Sequence, residues 1–146
     1  MKIVKKLLPF VILIAVALMA FDFFHVTGSE IKNVNKLSEA HTAAIGKESQ
    51  SYVHMLNEEK IEMLKELLLE TTFTRKIRKT IIGPLPENRY SILVDWNDGG
   101  KTNLYIHLIG GEYAQVGGQF GDAFLKIKNP EFEYKLIEIM EMKQVN

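Results

Sequence analysis

The chain has 146 residues, with 18 basic and 18 acidic side chains, four histidines and no cysteine. This balanced charge argues against nucleic-acid binding, which requires a strongly basic face. The lack of cysteine excludes disulfides, zinc–thiolate sites, iron–sulfur clusters, thiol nucleophiles and a lipid anchor on cysteine. In an exported protein, it also indicates a bacterial origin.

The N-terminal segment predicts contact with a membrane. Three lysines precede an apolar stretch that runs through Leu7–Val26 and contains one acidic residue, Asp22. Its uncharged part is longer than most signal-peptide cores and shorter than most membrane-spanning helices. Because the lysines favour the cytoplasmic side, the rest of the chain is predicted to lie outside the cytoplasm.

Two predictions for this segment stay open. An uncleaved anchor gives a single-pass protein of the cell membrane, whereas a cleaved signal peptide gives a secreted one. Val26–Gly28 offers one cleavage site and Leu18–Ala20 a weaker one, since small residues precede such cuts. We therefore divide the chain into residues 1–28, a signal peptide or membrane anchor, and 29–146, a single extracytoplasmic domain.

The segment 29–50 is polar and weakly patterned. It predicts either a spacer or two short strands near Ile31–Leu37 and Ala43–Lys47. A helix is predicted over Glu58–Glu70, because Asn57 is a good N-cap and the first turn is acidic. The apolar period of four continues into the basic stretch Thr71–Thr80, so the helix is predicted to continue or restart there.

A period of two then predicts an antiparallel meander of four strands. The predicted strands are Tyr90–Trp96, Thr102–Ile109, Glu112–Val116 and Ala123–Ile127. Asn97–Gly100 suits a hairpin loop between the first two. A last helix is predicted to be capped by Asn129, with Pro130 as its first residue.

These elements predict an α+β domain, an antiparallel meander packed by two helices and preceded by a signal or anchor helix. The two helices are expected to cover one face of the sheet. The other face, with Tyr105, His107 and Tyr113, is expected to meet solvent, N-terminal strands or a partner.

This order of elements resembles a group of small, uncharacterised exported proteins of Bacillus-type Gram-positive bacteria. The residues that carry the resemblance are Tyr90–Val94, Leu104–His107, Tyr113 and Gly118–Gly121, within Ile31–Met142. Members are often lipoproteins, and a similar domain is attached to some membrane-bound sensor proteins. The resemblance implies an extracytoplasmic location and this fold, and it implies no activity. This chain differs in lacking the lipid-anchor cysteine.

Metal and catalytic motifs are not found in the sequence. The histidines His25, His41, His54 and His107 lack the paired spacing of a helical zinc motif. Asp95–Gly100 begins like a calcium loop, but Ile106 stands where the bidentate glutamate belongs. There is no nucleophile elbow, and Gly117–Gly121 lacks the lysine and helix of a phosphate loop. We predict no catalytic residue, metal site or cofactor.

Two groups of residues are candidates for binding. The basic group is Arg75, Lys76, Arg78 and Lys79, which either contacts lipid headgroups and teichoic acids or is a solubilising surface. The aromatic group is Trp96, Tyr105 and Tyr113, since aromatic residues often carry interface energy. The leading hypothesis is a non-enzymatic, surface-tethered or secreted binding module for a protein or an envelope polymer. The alternative is a regulatory or inhibitor domain acting on a membrane-bound sensor or enzyme, and a hydrolase is disfavoured.

Overall fold

The computed structural model describes residues 2–76, 86–99 and 103–142. Within these residues there are three α-helices, eight β-strands and three short 3₁₀ helices. The helices are α1 (Lys2–Phe24), α2 (Glu58–Glu70) and α3 (Phe132–Glu141). The strands are β1 (His25–Thr27), β2 (Thr42–Lys47), β3 (Val53–Met55), β4 (Thr72–Arg75), β5 (Arg89–Asp95), β6 (Leu104–Ile109), β7 (Tyr113–Val116) and β8 (Leu125–Ile127). The 3₁₀ helices are Gly28–Glu30, Val34–Glu39 and Phe120–Asp122.

All eight strands pair antiparallel in one sheet, in the order β1-β4-β8-β7-β6-β5-β2-β3. The strands β5 to β8 form a meander in which each pairs with the next. The α+β class is therefore confirmed. The sheet is wider than the predicted meander, because β2 and β3 extend one edge and β4 and β1 the other.

Alternation along β5 explains how the sheet forms a core. Tyr90, Ile92 and Val94 are buried on one face, whereas Ser91 and Leu93 point to the other face and are not. The buried face packs against the apolar sides of α2 and α3 in a single cluster. The helical members of that cluster are Ile61, Leu64, Leu67, Leu68, Phe132, Leu136, Ile139 and Met140.

The helix α2 has the predicted bounds and the predicted cap. The Oδ1 atom of Asn57 accepts a hydrogen bond from the backbone N–H of Lys60 at 3.0 Å. Leu56 before the cap and Ile61 inside the helix are both buried, as expected for a hydrophobic staple. At the other end, the hydroxyl of Thr71 donates to the carbonyl of Leu67 at 2.6 Å.

The predicted continuation of this helix is wrong for the part that the structure describes. Thr72–Arg75 is the strand β4, which pairs with β1 and β8. Threonine favours strands, and the side chain of Phe73 between two threonines is buried in the core. The rest of the predicted helix, residues 77–80, lies outside the described residues.

The segment 29–50 contains one of the two strands predicted there. Ala43–Lys47 is confirmed as part of β2, but Ile31–Leu37 is not a strand. This stretch turns, with Asn33 in the left-handed conformation at φ 66°, and continues as a 3₁₀ helix. Ile31, Val34 and Leu37 are buried, and their spacing of three matches the 3₁₀ period.

The helix α3 begins later than predicted. Asn129 and Pro130 form a turn before it, and the first helical residue is Phe132. The Oδ1 atom of Asn129 accepts from the N–H of Glu131 at 3.1 Å, and its carbonyl accepts from the N–H of Phe132 at 3.2 Å. Asn129 therefore stabilises the turn before α3 and is not the N-cap of the helix.

The helix α1 differs from the other two in its exposure. Its large apolar side chains from Leu7 to Phe23 are between 54% and 71% exposed. Val26, the last residue of the predicted membrane stretch, lies instead in β1 and is buried in the core. Over the described ranges, no helix reaches the combined length and apolarity that crossing a membrane requires.

Candidate functional site

The face of the sheet opposite α2 and α3 carries a row of apolar side chains across four strands. Tyr105 pairs with Leu93, Leu93 with Ala44, and Ala44 with Met55. Neighbouring strands are about 4.8 Å apart, so this row is about 15 Å long. Tyr105, Leu93 and Met55 are 43%, 44% and 51% exposed. We call these four residues the apolar row.

The apolar row lies in a shallow groove. The groove has a volume of about 390 Å³. Its walls include Thr42 and Asp95, which are paired across β2 and β5 beside the row. The short side chain of Ala44 lies between the larger Leu93 and Met55 and is buried, at 7% exposure.

A polar network adjoins the apolar row. Ser91 and His107 are cross-strand partners on the same face. The Glu48 carboxylate lies 3.5 Å from Nδ1 of His107 and 2.8 Å from Nε of Arg89. The Arg89 Nε is buried, and its N–H is not aligned with an acceptor, so its contact with Glu48 is an ion pair without a hydrogen bond.

A serine, a histidine and a carboxylate on one face raise the question of nucleophilic catalysis. The Ser91 hydroxyl lies 3.4 Å from the hydroxyl of Tyr105. Within the described part of the chain, no hydrogen bond joins it to His107. Glu48 is shared with Arg89, and the groove is open to water, so the network does not form the nucleophile–base–orienter chain that acyl transfer needs. Its geometry suits polar contacts around a docked partner.

The predicted aromatic group is divided by the fold. Tyr105 belongs to the apolar row, and Tyr113 lies on the same face, paired with Ile109 and Lys126. Trp96 does not join them. It packs against the core, and its Nε1–H donates to the carbonyl of Lys36 at 3.0 Å.

The predicted basic group lies elsewhere. Arg75 ends β4, and its guanidinium carbon lies 4.4 Å from the ring centre of Phe23 and 5.2 Å from that of Phe120. Lys76 follows, and its backbone N–H donates to the carbonyl of Phe124 at 2.8 Å. Arg78 and Lys79 lie outside the described residues.

Four residues of the open face were not identified from the sequence. Leu93 had a signal, because it is an apolar residue at a position of the β5 alternation that otherwise carries Ser91 and Asp95. No pattern in the sequence identified Ala44, Glu48 and Met55, which come from β2, β3 and the loop between them. Their role depends on register, which the sequence alone does not give.

A second cavity lies beyond the end of the sheet. It has a volume of about 510 Å³, and Lys126 and Glu133 are among the residues that line it. The Glu133 carboxylate accepts a hydrogen bond from the buried hydroxyl of Tyr90 at 3.2 Å, which commits this carboxylate to the fold. Among the side chains that the structure describes, no cluster of three or more His, Asp or Glu residues is placed to hold a metal ion.

Comparisons with known proteins give no relative for this chain. No family model, no curated protein and no solved structure matches it. The functional argument therefore depends on the geometry of the chain itself.

Proposed function

We propose that this chain is a non-enzymatic binding module, attached to a membrane by α1, whose open sheet face docks a partner protein. The observation that carries this proposal is the apolar row. Leu93, Tyr105 and Met55 are each more than two-fifths exposed. Leu93 and Tyr105 are direct partners, and Met55 lies on the other side of Ala44 in the same row. Contiguous apolar surface that a fold leaves uncovered commonly marks an interaction site.

The composition of the face favours a protein over an envelope polymer. Aliphatic Leu93 and Met55 gain by burial against other apolar side chains, and methionine adapts its shape to varied partners. A sugar polymer is expected to need more aromatic platforms and more hydrogen-bonding groups than this row supplies. The ion pair of Glu48 with Arg89 borders the row together with His107, as polar groups border the core of an interface.

Membrane attachment is supported by α1. Its large apolar side chains from Leu7 to Phe23 are exposed, and burying them in lipid gains about 25 cal/mol per Å². Under the positive-inside rule, the lysines before Leu7 favour a domain outside the cytoplasm. This location agrees with the resemblance to small exported proteins, which stays a prediction.

One observation favours a regulatory or inhibitory role on a membrane-bound sensor or enzyme. The last residue of α1, Phe24, is followed directly by His25 of β1, without a spacer. A domain joined to its anchor in this way stays close to the membrane surface. The partners within its reach are then proteins that lie in or on the same membrane.

The test is site-specific photocrosslinking in cells. A photoreactive residue replaces Leu93 in the full-length chain, and a matched probe replaces Tyr134, which is 72% exposed on α3. We expect a discrete protein adduct from position 93 and none from position 134. An adduct of wall polymer at position 93 would mean that the open face binds a polymer and not a protein.

The captured protein is then purified for binding measurements. We expect Leu93→Glu to weaken its affinity at least about tenfold, as for a residue near the centre of an interface. The matched variant Tyr134→Glu should bind like the wild type. Equal affinities for the two variants would contradict docking at the open face.

A further inference from the structure

Arg75 is held between two aromatic rings at the end of α1. Phe23 belongs to the last turn of α1, and Phe120 to the 3₁₀ helix between β7 and β8. The guanidinium carbon is 4.4 Å and 5.2 Å from their ring centres, within the range of cation–π attraction. We call Phe23, Arg75 and Phe120 the Arg75 junction.

The junction lies where the apolar helix meets the domain. β1 follows α1 directly, and His25 pairs with Thr74, the neighbour of Arg75. The ring of Phe21 stacks on His25 with a centroid distance of 5.2 Å. If α1 lies in lipid, the guanidinium of Arg75 is at the depth of the headgroups, where long basic side chains near helix ends place their charge.

The guanidinium of Arg75 has unused hydrogen-bonding capacity. Its Nε is buried, and in the described part of the chain no acceptor bonds to it. Arg75 as a whole is only half-buried, so a headgroup would meet the terminal Nη groups of the guanidinium and not the enclosed Nε. The two Nη groups form a planar fork that matches the oxygens of a phosphate.

We propose that Arg75 binds the phosphodiester headgroups of the membrane at the point where α1 enters it. This contact holds the domain in one orientation on the lipid surface. This proposal extends the proposed membrane attachment through α1 and depends on it. Since Phe23 and Phe120 come from α1 and the domain respectively, the junction couples the helix to the sheet.

The experiment uses the full-length chain in vesicles. Because the sequence has no cysteine, Ser29→Cys gives a single labelling site beside β1. A fluorophore there reports docking through quenching by headgroup-labelled lipid. Vesicles of a phospholipid mixture with about 30% phosphatidylglycerol are compared with vesicles of an uncharged galactolipid, since anionic headgroups attract basic residues.

We expect strong quenching in the phospholipid vesicles and weak quenching in the galactolipid vesicles. Arg75→Gln should lower the ratio of docked to undocked domain about fivefold, the factor for one basic residue at an anionic surface. Arg75→Lys keeps the charge without the planar fork and should lower the ratio less. Arg89→Gln, the same change on the open face, should leave the ratio unchanged.

The outcomes separate the two proposals. If the wild-type chain does not incorporate into either kind of vesicle, attachment through α1 is wrong, and the Arg75 contact falls with it. If the chain incorporates but quenching is equal in both lipids, attachment stands and the Arg75 contact is wrong. The comparison of the two lipids with the wild-type chain needs no substitution at Arg75. It therefore tests the Arg75 contact even if Arg75→Gln does not fold.

Discussion

Leu93 and Tyr105 are direct cross-strand partners on β5 and β6, and both side chains are exposed on the face away from the helices. Their neighbours in sequence, Ile92 and Ile106, are also paired and are fully buried on the other face. One pair therefore forms the core, and the adjacent pair forms surface. This contrast separates residues that the fold needs from residues that are available for binding.

We expect the double substitution Leu93→Thr with Tyr105→Thr to leave stability nearly unchanged. Exposed positions usually contribute within about 0.5 kcal/mol, and threonine suits a strand. The free energy of unfolding, from urea titration, should stay close to the wild-type value. Any self-association through the open face should also decrease in sedimentation, because the exposed apolar row of that face is interrupted.

The matched core substitution is Ile92→Ala. We expect it to lower the free energy of unfolding by about 2–5 kcal/mol, through lost burial and the cavity left behind. A large loss in the Leu93 and Tyr105 variant would mean that the apolar row serves the fold and not a partner.

A second prediction concerns alkaline pH. Burial, and then the nearby carboxylate of Glu133, raises the pKa of Tyr90 to about 12. Tyrosine in the unfolded chain ionises near pH ~10. Above that pH the unfolded state loses a proton that the folded state retains, so stability should fall by up to about 1.4 kcal/mol per pH unit until the folded pKa is reached.

The variant Tyr90→Phe isolates this effect. Its free energy of unfolding should fall less steeply than that of the wild type above pH ~10, while below that pH the two profiles should run parallel. Urea titrations across this range measure both slopes. Identical slopes would show that Tyr90 ionises alike in the folded and unfolded states.

The sequence predicted those elements whose pattern is long enough to repeat. α2 was predictable from its cap and its apolar face, and β5 from three alternating buried residues. β1 and β3 have three residues each, and neither continues a longer alternation as the three-residue β8 does within Ala123–Ile127. β1 was further hidden because its apolar Val26 continues the composition of α1.

The binding face was predicted only in part, because strand register decides which residues share it. Tyr105 and Tyr113 were placed correctly on the open face, because they alternate with buried residues. Trp96 was grouped with them, although it follows Ile92 and Val94 at even spacing and therefore belongs to the core side. Ala44 and Met55 join the row only through β2–β5 and β2–β3 pairing, which is long-range information.

A third prediction tests the contact between α2 and the 3₁₀ helix Gly28–Glu30 that follows β1. A methyl group added at Gly28 would lie 1.7 Å from the carbonyl oxygen of Leu68. Backbone atoms of a helix cannot move aside easily, so we expect Gly28→Ala to lower stability by about 3 kcal/mol or more. At Gly117, the nearest atom to an added methyl is a side-chain carbon of Tyr105 at 3.5 Å.

Gly117→Ala is therefore the matched control, with an expected change within about 0.5 kcal/mol. Thermal unfolding of both variants measures the difference. Equal melting temperatures would show that the chain around Gly28 does not pack on α2 in solution.

The last prediction concerns processing of the N-terminal segment. Cleavage after Gly28 would remove β1, including the buried Val26 and the hydrogen bond of 3.0 Å from the Gly28 N–H to the Thr71 carbonyl. Cleavage after Ala20 would leave β1 in the sheet. A chain starting at Ser29 should therefore be about 2–4 kcal/mol less stable than one starting at Phe21, from the lost apolar burial and hydrogen bonds.

Urea titration of the two truncated chains measures this difference, and mass spectrometry of the protein from cells measures the outcome of processing. We expect an intact N-terminus, which retains both α1 and β1; an N-terminus at Phe21 would retain β1 but would contradict attachment through α1. A protein from cells that begins at Ser29 and unfolds at the same urea concentration as the longer chain would contradict this prediction. In that case β1 would contribute nothing to the fold, and the coupling of α1 to the sheet through the Arg75 junction would lose its structural basis.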